Sequence, residues 1–305
     1  MQAALNTDNH TIPIQFGNLC LAFTCTDLDI FANLKELYKI YRSDKLADVK
    51  IKLDIVDRLD RAQVISIVSQ MGTPQPGNNQ EAKVQGIDIE FDSAGNTFAF
   101  TIDRRFFDPT LNLKPMNRLL RQVYYTVYQL KYRIKPPGML VHSCGILRKG
   151  KVLLFTGPSG VGKSTIGQLC DKDYGVPLND EMVLLSWPLP EDRSLIVDSV
   201  PILGDLPLRL NTSAPLASVQ LLKQSKRTAV RRLGRKEAYL RFIYQVINPA
   251  YFGDTNNHAI LSLITEFADE ITKVTPFYEL EFSIDKNLLW EFEKRLLEAK
   301  LIEEV

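Results

Sequence analysis

Cysteine is scarce in this chain and never suitably spaced. Cys20, Cys25, Cys144 and Cys170 form no C-x-x-C pair, so a zinc site or disulfide scaffold is not expected and reduced core thiols are. Charge of one sign is also missing. The 37 Lys and Arg nearly cancel the 36 Asp and Glu, leaving +1, and no overall basic field calls for nucleic acid. No run approaches 18 apolar residues, so no membrane span is expected. The opening MQAALNTDNHTIPI has neither a basic start nor an apolar core, so no signal peptide is read. Internal repeats, low-complexity tracts and an L-S-G-G-Q-like signature are absent too, the last arguing against an ABC-type motor. What remains is a cytoplasmic protein of ordinary globular composition, 45% hydrophobic and 24% charged over 305 residues, long enough for two domains.

One stretch carries clear chemistry. In LLFTGPSGVGKSTIG, Leu153 to Gly167, the residues Gly157, Gly162, Lys163 and Ser164 fit G-x-x-x-x-G-K-[ST]. A strand, Lys151 to Thr156, precedes it, and Ile166, Leu169 and Cys170 follow at helical spacing. Chance would produce the pattern in roughly 1% of chains this long, and the strand and helix lower that further. The glycines let the backbone bend close to phosphates, and successive N–H groups with the helix start point at the anion. Gly157, Pro158, Ser159, Gly160, Val161, Gly162, Lys163, Ser164 and Thr165 are therefore the expected cradle for ATP. Lys163 is expected to reach the β- and γ-phosphates, and the Ser164 hydroxyl to ligate Mg2+.

The chain before about Lys135 shows no chemical motif. LCLAFTC reads as a strand. DIFANLKELYKIYRS places Phe31, Leu34, Leu37, Tyr38 and Tyr41 at helical spacing, with Asp29 as the candidate cap. Val49, Ile51, Leu53 and Ile55 alternate as in a half-buried strand. MGTPQPGNNQEAK is a loop, and GIDIEFDSAGNTFAFTID a hairpin turning at Ala94-Gly95-Asn96. A long helix starts near Pro115 and runs through Leu119, Leu120, Val123, Val127 and Leu130. Its stripe of Tyr124, Tyr125, Tyr128 and Tyr132 reads as packing. Pro136-Pro137-Gly138 marks the boundary between an α+β domain, 1–137, and an α/β domain, 138–305.

The second domain opens with MLVHSCGIL and KVLLFT, joined by a turn at RKGK. YGVPLNDEMVLLSW, after the loop and its helix, reads as turn, acidic pair and strand. SLIVDSVPILGDLP adds a strand and a loop. PLASVQLLKQ and RTAVRRL read as paired strands. Helices are expected at about 236–247, 257–271 and 287–301, with the strand FYELEFS between the last two.

Phosphoryl transfer needs a phosphate cradle, metal ligands, a group that orients or deprotonates the acceptor, and charge for the developing oxyanions. Asp180 and Glu181 begin 16 residues beyond Ser164, after one helix, where a parallel strand reached by crossover could meet the nucleotide. An acidic turn with no further role is the alternative on residue type alone, and proximity to a phosphate loop favours function. His142, inside an apolar strand, reads on its own as a core residue. Asp205 alone is an ordinary loop carboxylate, and Arg231, Arg232 and Arg235 alone form a solvated basic face.

Taken together, VHSCGIL, KVLLFTGPSGVGKST, VPLNDEMVLL and VPILGDLPLRLNTSAPLASVQLL resemble the HPr serine kinase/phosphorylase family, of PEP-carboxykinase-like P-loop fold. The resemblance spans about Met139 to Leu222 and does not reach the first domain. His142 stands 22 residues before Ser164 and Asp180 stands 16 after it, the family's spacing for its His and its catalytic Asp. The resemblance implies that Asp180 takes the proton from an acceptor hydroxyl, that His142 assists, that Lys163 stabilises the transferred phosphoryl, and that Ser164, Asp205 and Glu181 serve the metal. Thr165 and Glu181 replace acidic residues usual in the family, Glu181 with a longer side chain, and Arg231, Arg232 and Arg241 are candidates for its arginine. It also implies a homo-oligomer, a ring or dimer.

The expected function is an ATP- and magnesium-dependent kinase that phosphorylates a Ser or Thr hydroxyl on a small protein or peptide, with the first domain positioning the acceptor. A small-molecule kinase of the same fold and a nucleotide-gated regulatory ATP-binding protein are the alternatives.

Overall fold

The computed structural model describes residues 11–57, 87–92, 97–104, 114–128, 135–207, 209–250 and 258–298. Among them, those up to Tyr128 form one compact unit and those from Lys135 onward another. Both mix sheet and helix, an α/β chain throughout.

The first unit holds β1 (Thr11–Phe16), β2 (Leu19–Cys25), α1 (Leu28–Leu37), β3 (Val49–Val56), β4 (Ile87–Asp92), β5 (Thr97–Asp103) and α2 (Lys114–Thr126). Its sheet has the order β1-β2-β3-β5-β4. Alternation builds β3: Val49, Ile51 and Leu53 are buried, while Lys50 and Lys52 face solvent. Helix α1 is capped by Asp27, whose Oδ1 accepts the Ile30 N–H at 2.9 Å. Asp29 is not the cap. It lies one residue inside the helix, where its charge favours the N-terminus without taking the capping bond. The α2 tyrosines are packing: Tyr124 is buried and stacks on Phe16 at 5.1 Å, and Tyr125 and Tyr128 meet its ring edge-on. The loop MGTPQPGNNQEAK, the turn Ala94-Gly95-Asn96, Leu130 and Tyr132 lie outside the described residues.

The second unit holds β6 (Gly138–Arg148), β7 (Lys151–Thr156), α3 (Lys163–Leu169), β8 (Val176–Asn179), β9 (Met182–Ser186), β10 (Ile196–Ser199), β11 (Ser213–Gln224), β12 (Ala229–Arg232), α4 (Arg235–Ala250), α5 (His258–Val274), β13 (Phe277–Phe282) and α6 (Leu288–Glu298). The sheet order is β10-β9-β6-β7-β11-β13-β12, with β8 also on β6. Strands β7, β11 and β13 run parallel, and β6, β9 and β12 pair antiparallel with their neighbours. Ile166 of α3 and Leu288 and Phe292 of α6 pack with Phe155 and Leu280 on one face. Phe242 of α4 meets Phe277 at 5.3 Å on the other.

Two expectations from sequence fail here. Strands β11 and β12 do not pair with each other, because β13 lies between them. Residues Val219 to Leu222 are all buried, as a central strand requires, whereas the exposed Arg231 and Arg232 suit an edge. The strand after the acidic pair is also not reached by a parallel crossover. It lies antiparallel on β6, which separates it from β7.

Candidate active site

Register alone gathers the chemistry. The last pair of the β6–β7 ladder is Ser143 with Thr156, and the Thr156 hydroxyl donates to the His142 carbonyl at 2.6 Å. The glycine-rich loop therefore leaves β7 beside His142. On the other side of β6, β8 and β9 follow one another: Asn179 faces Gly145 and Met182 faces His142. Asp180 and Glu181 form the break between them. The Glu181 carbonyl accepts the Ser143 N–H at 3.3 Å, and the His142 Nε2 lies 3.8 Å from the Glu181 Oε2.

The loop itself rests on the C-terminal ends of the parallel strands. Gly157, Gly160 and Gly162 have φ of 155°, 76° and 113°, a left-handed backbone that a side chain would strain. At Gly162 a Cβ would also come within 2.8 Å of the Phe282 ring at the end of β13. Gln224, at the end of β11, donates its Nε2 to the Gly160 carbonyl at 3.2 Å. Helix α3 starts at Lys163, whose buried Nζ donates to the Gly157 and Pro158 carbonyls at 2.9 and 3.0 Å. Burial pulls this ammonium below its ordinary pKa, and the Glu181 charge opposes that shift.

Asp180 is 2% exposed. Its Oδ2 accepts the Asp205 N–H at 3.1 Å and its Oδ1 the Leu206 N–H at 3.3 Å. The carboxylate clasps the loop that carries Asp205, and two of its four lone-pair sites remain. Leu206 in turn packs on Gly167 of α3, so closely that a Cβ there would collide. Gly167 lies one turn beyond Ser164 on the same helix face, which brings the Asp205 loop to the side of α3 that bears Ser164. Asp205 is exposed, and Glu181 and Ser164 are partly so.

Asn179 escaped the sequence reading, and Gly204 entered it only as the residue before Asp205. Asn179, fully buried, donates its Nδ2 to the Val200 and Ile202 carbonyls at 3.0 and 2.7 Å and accepts the Glu181 N–H at 3.0 Å. Its only signal was the run of polar Asn-Asp-Glu between two apolar strands. Gly204 lies against the Asp180 carboxylate, and any Cβ there would overlap it. Gly204→Ala is expected to cost about 1–3 kcal/mol through this overlap. A Cβ at Gly234 meets nothing within 4 Å, so Gly234→Ala should leave the urea midpoint nearly unchanged. Equal midpoints for the two variants would refute the clasp.

Of the candidate arginines, Arg231 forks onto Glu237 at 2.9 and 2.8 Å and reaches Glu279 at 3.0 Å. The hydrogen bonds from Arg231 pull the Glu237 carboxyl down to about 2. Arg235 pairs with Asp269. Arg232 lies exposed on β12. Arg241 bonds Glu279 at 2.6 Å through Nη1, and it lines a cavity of about 670 Å³ together with His142 and Gly157, Pro158 and Ser159 of the loop. Among the described residues no group of three or more His, Cys, Asp or Glu side chains could hold a metal, and no helix is long and apolar enough to cross a membrane.

No family model matches the chain, and no curated protein matches it. Among solved structures, the Hpr(Ser) kinase/phosphatase from Coxiella burnetii covers 53% of this chain and 96% of its own, at 16% identity and a TM-score of 0.28. Values this low leave the functional reading to the residues.

Proposed function

We propose that the chain is an ATP- and magnesium-dependent kinase that phosphorylates a Ser or Thr hydroxyl of a small protein or peptide, as the motif resemblance to HPr serine kinases implies. The observation that carries this reading is the strand register, which puts the loop start, His142 and the Asp180–Glu181 pair at one end of one sheet.

The residues fit the nucleotide. Lys163 spends its hydrogen bonds on two carbonyls of its own loop, and phosphate oxygens are better partners for a buried ammonium. Residues 157–165 would cradle the phosphates. Ser164, with Asp205 and Glu181, would hold the magnesium, an ion that needs only one or two carboxylates beside substrate phosphates; when bound it neutralises charge on the phosphates. Asp180 takes the proton of the acceptor hydroxyl as that oxygen bonds to the γ-phosphorus and the bond to ADP breaks. His142, paired with Glu181, assists beside it, and Lys163 stabilises the charge on the moving phosphoryl group.

The test is product analysis after incubating the full chain with ATP, magnesium and a panel of seryl and threonyl peptides. A protein kinase yields phosphopeptide. ADP formed only with small hydroxyl compounds would move the reading to a small-molecule kinase. Inorganic phosphate released regardless of acceptor would indicate a regulatory ATPase.

A further inference from the structure

The cavity beside the loop has a direction. Lys163 is the group that meets the β- and γ-phosphates in this motif, and its Nζ lies on the Gly157 and Pro158 carbonyls. The γ end of the nucleotide is therefore the Gly157–Ser159 end of the loop, and that is the end that lines the cavity. At the later part of the loop, Gln224 donates to the Gly160 carbonyl and the Phe282 ring lies against Gly162. A molecule in the cavity would meet this end of the loop beside His142.

The wall opposite the loop is α4, with two apolar side chains in unusually open positions. Leu240 is 52% exposed and Tyr244 is 67% exposed. Between them in sequence, Arg241 bonds Glu279 and Glu237 through Nη1. Among the described residues its Nε and Nη2 make no hydrogen bond. The two glutamates fix the guanidinium, whose Nε and Nη2 side has the geometry that suits a carboxylate.

We infer that this cavity is the acceptor subsite, and that it takes a peptide segment bearing a carboxylate for Arg241 and, near the phosphorylated hydroxyl, a large apolar side chain for Leu240 and Tyr244. The inference rests on the kinase reading for the identity of the transferred group. The carboxylate belongs either to a chain terminus or to an acidic side chain.

Three probes separate these sources with the full chain. Each is a pentapeptide with one Ser and a photoreactive benzoylphenylalanine beside it. One ends in a free carboxylate, one is amidated, and one is amidated and carries Glu. After irradiation, the label is expected on Leu240 or Tyr244, and the probes with a carboxylate in reach should bind roughly tenfold to a hundredfold more tightly than the plain amide. Whichever of the two carboxylate probes binds better identifies the source. Arg241→Gln should erase the difference, and Arg241→Lys should keep part of it. Tyr244→Ala, at an exposed position, should lower labelling by every probe. Label outside the cavity, equal binding of all three probes, or a preference that survives Arg241→Gln overturns the inference. Labelling in the cavity without phosphoserine would count against the kinase reading alone, and phosphoserine without labelling there against the subsite alone.

Discussion

Asp180→Asn slows phosphoryl transfer by about 10²–10⁴, the range for losing a general base, and leaves affinity for MgATP within a few-fold. The nucleotide contacts proposed for residues 157–165 and Lys163 do not involve the carboxylate. The same variant loses stability, because Asp180 also accepts the N–H groups of Asp205 and Leu206. An Asn places an amide N–H toward one of these donors, at a cost of about 1–3 kcal/mol. A lowered melting temperature is therefore no evidence about catalysis. Transfer rate is therefore compared with wild type well below the variant's melting transition, where both proteins are folded. His142→Ala should also slow transfer, with nucleotide binding largely kept, and Glu181→Gln should cost less than Asp180→Asn. If Asp180 only holds the loop, Asp180→Asn will melt lower and still transfer phosphate at a near-normal rate below its transition.

Local pattern was readable where it was strong. The alternation in β3, the hairpin of β6 and β7 and the helical spacing in α2 needed no tertiary information, because side-chain period alone specifies them. The reading failed where the answer depends on which strand lies beside which. A short connection between β11 and β12 looks like a hairpin, yet β13, more than forty residues later in the chain, takes the place between them. The site shows the same division. The glycine-rich loop and Lys163 are legible because one contiguous stretch carries the geometry. Asn179 was invisible, because its bonds go to main-chain carbonyls more than twenty residues away, and the role of Gly204 was hidden because the group it makes room for is the side chain of Asp180, distant in sequence. Asp27 replaced Asp29 as a cap because two acids stand within one turn and only the bond to Ile30 distinguishes them.

Lys163→Ala removes most of the stabilisation that MgATP confers. In the folded chain this ammonium is desolvated and held by two carbonyls of its own loop. It is the one formal positive charge within the phosphate-binding motif, and an alanine leaves the γ end of the nucleotide without a charged partner. The most direct measurement is the thermal unfolding of the wild-type chain with and without MgATP at a hundredfold excess over its dissociation constant. Linkage gives about 2.7 kcal/mol, a rise of about 5–10 °C for a cooperative unit of this size, and Lys163→Ala should show little of it. No rise in the wild-type chain under saturating nucleotide would contradict the account at its base.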